Sequence, residues 1–553
     1  MNTPRFPGKS RPDFVYAILA LILVAIATAR LIPTYRTFTQ TYDEPFHIAC
    51  GMEWLDKGTY NYEAQHPPLA RVAVGLGPYL KGLRSHSLID ATEEGNAILS
   101  SDGRYWQNLT LARLGTLPFL WLGCAVIWLW ARRWFTRAAG VWALLLFLSL
   151  PPILAHAGLA TLDMACAATV VAALYELMRW LEDPSWIRSL WLAAALSLAL
   201  LSKFSSIPFL AVSCVTALLY FVLVRGKGIS VQLRLRIGRG LVIACVTLVL
   251  LWAGYRFSLD PVTGKAEVQQ SVDKLLGKAP FLAKAADKVL ELPVPLKRFV
   301  LGIRHVYIHN QEGHNTYLLG ESGMKGWWYF FPVVLAVKTP IGFLLLAIAG
   351  LLAALLRWRV LPWQMALTAL FPIAIFLFCM TSRINLGVRH ILSIYPLLAL
   401  LAGHAICVAF EKRRLVTAAL AVLLAGSVVM ESWLAHPDYL AYFNQFAGRQ
   451  PDRILLGSDL DWGQDLHRLS VRLGTLGVKQ VAIGYYGTAD LAQADLPEYR
   501  ILSPLEKTMG YVAASVTLIR EHQASRDYGW LKDYQPQEIV GKSIYLYHIP
   551  PAP

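Results

Sequence analysis

The chain has 553 residues, 56% of them hydrophobic and only 16% charged, and its 51 Lys and Arg against 36 Asp and Glu leave a formal charge of +15. A typical soluble domain is roughly 25% charged, so the composition excludes an ordinary soluble enzyme, a disordered chain and a coiled coil. The basic excess sits in short loops between apolar runs, which excludes a nucleic-acid partner as well.

A hydrocarbon core of about 30 Å needs roughly 20 apolar residues as a helix. Eleven such runs are predicted, at 14–32, 111–131, 138–155, 159–179, 187–202, 206–224, 239–256, 333–356, 363–380, 388–410 and 415–434. The stretch 187–224 is the weakest, because Lys203 and Pro208 interrupt it. The first run is too long for a signal-peptide core and lacks a small-residue cleavage site, so it reads as an anchor. Arg and Lys mark cytoplasmic loops. They recur in 1–13, 132–137, 225–238, 357–362 and 411–414, with 180–188 assigned to the same side by alternation. The large loops 33–110 and 257–332, and everything after about 435, then face the other side. The seven cysteines (Cys50, Cys124, Cys166, Cys214, Cys245, Cys379 and Cys407) show neither zinc-site nor disulfide-framework spacing.

From 435 to 553 the apolar runs shorten to strand length, at Arg453–Ser458, Gln480–Tyr486, Tyr511–Leu518 and Ile539–His548, with helical or turn stretches between them, for example Gly463–Leu476. That alternation predicts a small α/β domain. The fold class expected is therefore an all-α polytopic membrane protein of about 11 transmembrane helices over 1–434, with a small extracytoplasmic α/β domain over 435–553.

Ionisable residues at span ends are expensive unless they have a task or a partner, and they gather on the outer side. Asp43 and Glu44 follow the first run. They suit general-base work or metal binding, or Asp43 simply caps a short helix. Gln65-His66-Pro67-Pro68 makes a stiff, non-helical entry to a helix carrying Arg71, and Arg113 begins the second run. Asp163 opens the fourth run, as a site residue or a helix-dipole cap. Lys203 is either a partner for an anionic group or a snorkelling lysine. His305, His309, Glu312 and His314 lie in one loop, where polar loop contacts are favoured over a metal set. The Trp327–Phe331 run after it reads as an interfacial belt, to which Lys338 is expected to snorkel. Arg383, Arg389 and His390 form an outer-side cationic cluster that the positive-inside rule does not explain; a phosphate does. One face thus offers acid/base carboxylates and cations for phosphate, beside spans able to hold a lipid tail.

Asp43-Glu44 resembles the acidic pair of the GT-C superfamily, in particular its protein O-mannosyltransferase and aminoarabinose-transferase-like branch. His66-Pro67-Pro68-Leu69, Thr161-Leu162-Asp163 and Lys203-Phe204-Ser205 are similar to further positions there. Tyr442-Phe443-Asn444 and Ser458-Asp459-Leu460-Asp461-Trp462-Gly463-Gln464-Asp465 look like a signature of bacterial phospholipid-carrier-dependent glycosyltransferases. The resemblance implies an inverting glycosyltransferase of the bacterial inner membrane. Its donor would be a sugar on polyprenyl phosphate and its acceptor a lipid, glycan or protein on the periplasmic face. It implies two amphipathic helices in the first outer loop and Asp43 as the leading candidate for acceptor activation, with Glu44 beside it. Charge and side, loosely supported by the resemblance, assign Lys203, Arg389 and His390 to the donor phosphate, and charge adds Arg383 and Lys338. His66, Arg71, Arg113, Asp163 and His314 are further site candidates. Some members of the superfamily use a divalent metal, but no metal ligand is assigned here. The Asp459-to-Asp465 stretch reads either as a turn capped by Asp461 with Trp462 as packing anchor, or as acceptor recognition. A lipid-linked sugar transporter or flippase, or a non-catalytic envelope scaffold, are the alternatives. A transporter would place its polar groups near the midplane of repeat halves, and no repeat is visible.

Overall fold

The computed structural model describes residues 13–225, 229–261, 293–411, 414–521 and 528–550. The basic residues expected in the cytoplasm at positions 5, 9, 11, 227, 412 and 413 lie outside the described residues, as do the side chains of Arg225, Arg234 and Arg236 and the loop portion 262–292.

All eleven predicted runs fall on helical segments. Among the described residues six helices are long and apolar enough to cross a membrane: Phe14–Arg36, Tyr105–Trp134, Asp163–Glu182, Ser206–Val224, Val388–Glu411 and Leu415–Leu434. Two of the other runs are not straight. Arg137–Phe147 and Pro151–Ala157 meet at 72°, and Phe330–Lys338 and Ile341–Leu355 at 117°. Proline stands at each break (Pro151, Pro152 and Pro340), where it restricts the residue before it and removes a backbone donor. Trp186–Ser202, Gly238–Gly254 and Trp363–Cys379 are shorter apolar helices. The chain is a multi-span membrane protein. Asp163–Glu182 and Val388–Glu411 are mostly buried, whereas Phe14–Arg36 and Leu415–Leu434 are mostly exposed, as spans facing lipid are. The Ala-rich sequence of Asp163–Glu182 suits its central place, since small side chains let helix backbones approach.

The first outer loop holds more helix than the expected pair: Glu44–Met52, Pro68–Leu80 and Ala91–Ser100 precede Tyr105–Leu114. The first two cross backbone to backbone at glycines. A Cβ on Gly51 would lie 2.0 Å from the Arg71 carbonyl oxygen, so only glycine fits the crossing.

At the C-terminus the observed sheet has five strands in the order Glu498–Ile501, Gln480–Gly484, Gly510–Ser515, Ile544–Ile549, Glu538–Val540. The first three are parallel and the last two antiparallel. Alternation sorts its side chains. Val481, Ile483, Ala513 and Leu546 pack on Leu466, Leu469 and Leu473 of the helix Leu466–Thr475, while Ala482, Val512, Ala514 and Tyr547 pack on Ile519 and Leu531. Two expectations are corrected. Arg453–Ser458 is no strand but short 3-10 turns at Pro451–Arg453 and Gly457–Asp459, and Ile539–His548 is two strands. Residues after 434 also do not leave the bundle at once: Tyr439, Leu440, Leu455 and Trp462 belong to the main helical core.

One buried ion pair ties the outer lip together. Arg113 donates to both Glu44 oxygens at 2.8 and 2.7 Å, and to the carbonyls of Tyr35, Phe38 and Thr39. Glu44 also accepts from the amides of Thr41 and Ala160. Both side chains are fully buried. Breaking such a pair strands a charge and costs about 3–5 kcal/mol, whereas an apolar replacement of both partners is often tolerated. Arg113→Met alone is expected to lower the apparent melting temperature and the monodisperse yield in detergent sharply. Glu44→Met/Arg113→Met should recover much of the loss; a double variant no better than the single one would contradict this.

Candidate active site

A cavity of about 690 Å³ lies where the outer loops meet the C-terminal segment. The structure brings Asp43, His66, Asp163, Lys203, His314, Arg389 and His390 to its wall, although they come from six separate stretches of chain. Ile207, Pro208, Phe209, Phe330, Phe331 and Phe378 make the wall apolar on the side of the spans.

Asp43 immediately precedes the helix Glu44–Met52 but makes no capping bond. Its Oδ2 instead accepts from Arg389 Nη1 at 2.6 Å. Burial alone would raise this carboxyl, yet the guanidinium beside it holds it below its ordinary value. Asp163 begins its helix and accepts from Lys203 Nζ at 2.6 Å; its other oxygen lies 3.8 Å from His156 Nδ1. Lys203 terminates Trp186–Ser202 in an extended conformation, which turns its side chain across to Asp163. His390 stacks on Phe331 at 6.3 Å. Two cation–carboxylate pairs therefore stand at one polar wall.

The structure separates other expected residues from this wall. Glu44 and Arg113 are paired with each other, and neither lines the cavity. Arg71 is buried behind the cavity, paired with Glu63 and donating to the Tyr60 hydroxyl at 3.1 Å. Lys338 does not snorkel: it is 1% exposed, donates to the carbonyls of Leu440 and Asp459 at 2.8 and 2.6 Å, and lies over the Phe443 ring. Arg383 is exposed and reaches the Gln311 carbonyl. Both are set apart from the phosphate set that the sequence suggested.

His47 belongs at the wall but was passed over. The signal was available, since a helix puts residues four apart on one face and His47 follows Asp43 by four. Burial, with the Arg71 guanidinium beside it, pushes the His47 imidazole down to about 3, so it is neutral. Its Nδ1 accepts from Arg71 Nε at 3.4 Å, which assigns the proton to Nε2. Burial and Arg71 likewise depress His66, which packs edge-on to His47. Tyr42 and Tyr486 stack at 5.5 Å and line the cavity with Thr517 and Glu521. No local signal marks Tyr486, Thr517 or Glu521, because tertiary folding alone brings them here.

The histidine segment is not all loop: His305, His309 and Glu312 lie on the helix Lys297–Glu312 and only His314 follows it. His309 and His314 lie 3.3 Å apart, and burial and His309 push His314 down to about 4. Among the described residues no three His, Cys, Asp or Glu side chains are grouped to hold a metal ion. A divalent cation would thus find no ready ligand set among them.

The model of the dolichyl-phosphate-mannose-protein mannosyltransferase family matches residues 107–253. No curated protein matches the chain by sequence. Among solved structures, ArnT from Cupriavidus metallidurans bound to undecaprenyl phosphate is similar over 95% of this chain and 97% of its own, with 15% identity and a TM-score of 0.52. An oligosaccharyltransferase from Archaeoglobus fulgidus, tethered with an acceptor peptide containing the NVT sequon, is similar over 98% of this chain and 75% of its own, with 12% identity and a TM-score of 0.51. The chain has the GT-C glycosyltransferase fold. The GT-C likeness takes in nearly the whole chain. The mannosyltransferase match covers the second to seventh apolar runs, with Asp163 and Lys203 but not Asp43 or Arg389.

The Ser458–Asp465 stretch is buried throughout. Asp461 does not cap the following helix. Its Oδ2 accepts from the Thr517 amide at 3.0 Å, and its Oδ1 has no hydrogen-bond partner among the described residues. Burial pushes this carboxyl from 3.8 up to about 7, against the pull of the Thr517 bonds. A folded pKa above the unfolded one favours folding while the group is protonated, and that contribution is lost as pH rises from about 4 through 7. Asp461→Asn keeps an oxygen for the Thr517 amide and removes the titration. The variant is expected to gain about 1–3 kcal/mol on the wild type between pH 5 and pH 8. Apparent melting temperatures that move in parallel with pH would contradict this.

Proposed function

We propose that this protein transfers a sugar from a polyprenyl-phosphate carrier to an acceptor hydroxyl or amide at the periplasmic face of a bacterial inner membrane. The observation that carries the reading is the pairing of two cations and two carboxylates in a cavity that is also lined by apolar side chains. An isoprenoid phosphate has the matching character: an anionic head for Lys203 and Arg389, and a hydrocarbon chain for Phe209, Phe330 and Phe378. ArnT bound to undecaprenyl phosphate supports it by likeness of fold. Transport is disfavoured because the charged groups come from the ends of spans and from loops.

In this reading the lipid phosphate engages Lys203 and Arg389, with His390 beside them. An Arg fork matches phosphate geometry, and Lys adds a point charge. Arg389 then releases its grip on Asp43, which is freed to accept the acceptor proton. The acceptor atom attacks the anomeric carbon as that proton passes to Asp43. The bond between the anomeric carbon and the phosphate oxygen breaks, and the phosphate leaves with the bonding pair. Lys203 and Arg389 stabilise the charge that grows on it. Attack opposite the leaving group inverts the anomeric carbon. Neutral His47 can donate from Nε2 without competing for the proton. Tyr42, Tyr486 and Thr517 face the space left for the acceptor.

General-base catalysis is worth typically 10²–10⁴-fold. Asp43→Asn is therefore expected to lower transfer by about that factor while the protein stays in the membrane at normal level. Mass spectrometry of envelope lipids checks it. A deletion strain should accumulate one polyprenyl-phosphate sugar, which the wild-type gene clears and the Asp43→Asn gene does not. Equal clearance by both would remove Asp43 from the base role. No accumulation, with no binding of polyprenyl phosphate by the purified protein, would overturn the transferase reading.

A further inference from the structure

The Ser458–Gln464 stretch lies far along the chain from both Asp43 and Arg389, yet it touches the segments that carry each. Toward Arg389, the Asp459 Oδ1 accepts from the Val388 amide at 3.0 Å, and Ser458 Oγ donates to the Leu386 carbonyl at 3.0 Å. Arg389 lays its guanidinium 4.6 Å from the centre of the Trp462 ring. Between these contacts, Gly387 has φ +78°, and a Cβ there would lie 2.4 Å from Asp459 Oδ2. The turn is thus shaped to receive the carboxylate. Toward Asp43, the Tyr42 amide donates to the Trp462 carbonyl at 2.9 Å and the Thr39 amide to the Gln464 carbonyl at 3.0 Å. The His467 amide donates to Thr39 Oγ1 at 2.9 Å.

The stretch is itself braced. Gln464 bridges its own turn, accepting from the Trp462 amide and donating to the Leu460 carbonyl, both at 2.8 Å. Buried Lys338 donates to the Asp459 carbonyl at 2.6 Å. This gives Lys338 a task that does not need the cavity.

From this geometry we infer that Ser458–Gln464 is a positioning element of the transfer site, with Asp459 and Trp462 setting Arg389, and the Trp462 and Gln464 carbonyls setting the Asp43 loop, at the separation the reaction uses. The inference rests on the function proposed above and extends it to residues that follow the last apolar helix along the chain. Asp459 and Trp462 act here through Arg389 and are not reacting groups. A guanidinium stacked on an indole and offered one carboxylate keeps its plane fixed, so that a phosphate meets a preformed fork.

The test uses the full-length protein in detergent or nanodiscs, with polyprenyl phosphate as probe for binding and the accumulated lipid-linked sugar as donor for transfer. Asp459→Asn keeps an oxygen acceptor for the Val388 amide; Asp459→Ala does not. Losing a buried acceptor at this turn is expected to weaken polyprenyl-phosphate binding and raise the donor KM by about tenfold or more in Asp459→Ala. The acceptor KM should change less, and Asp459→Asn should stay within about threefold of the wild type. Trp462→Phe keeps an aromatic face and should show a smaller loss than Trp462→Ala. Should Asp459→Ala fail to fold, Ser458→Ala carries the same comparison by removing one hydroxyl. Wild-type donor KM and probe affinity in a folded Asp459→Ala or Ser458→Ala protein would overturn the inference. So would equal losses in Asp459→Asn and Asp459→Ala, which would assign the effect to charge. A wild-type protein that neither binds the probe nor transfers sugar would sink the function proposal, and this inference with it.

Discussion

A charge placed where hydrocarbon meets water is stable only with a partner, and the outer lip of this protein is assembled from such partnerships. Glu44–Arg113 is the deepest of them. Its arginine collects three carbonyls that follow the first span, and its glutamate takes an amide from the loop ahead of the fourth. Three segments distant in sequence are thereby fixed within one hydrogen-bond shell. The residue ahead of Glu44 inherits that rigidity. Asp43 is therefore delivered to the cavity by a neighbour that never enters it.

The two adjacent carboxylates show how environment divides labour between like groups. Glu44 is closed off by a bidentate guanidinium and two amides, while Asp43 keeps 28% of its side chain exposed and meets its arginine at the cavity. Asp163 and Lys203 repeat the arrangement on the next part of the wall. Each cation there has one carboxylate for company.

The spans were legible from hydropathy, and so was the collection of polar residues on one side, because both follow from the cost of burying charge in lipid. Asp43, Asp163, Lys203 and Arg389 stand at span ends, where that cost makes them conspicuous. The breaks at Pro151 and Pro340 were visible as residues, but a linear apolar count does not report an angle. Glu44, Arg113 and Lys338 stood out for the same reason as the wall residues, and sequence has no means of separating a cation that waits for a ligand from one already satisfied by backbone carbonyls. The strand at Glu498–Ile501 was missed because its burial is slight and gives little apolar signal. Residues 453–458 have a strand's composition, but 3-10 turns at either end and packing into the helical core take them out of any ladder.

The amides of Val388, Tyr42 and Thr39 donate to side chains or carbonyls between residues 458 and 464, and the Leu386 carbonyl accepts from Ser458. A ribosome delivers those groups only after the last apolar helix, Leu415–Leu434, has been made. Until then the Arg389 turn and the Asp43 loop lack the contacts that hold them in register. The order of synthesis therefore makes completion of the cavity rim a late event in biogenesis, and a nascent chain already threaded into the bilayer has only a slack, unfinished version of it.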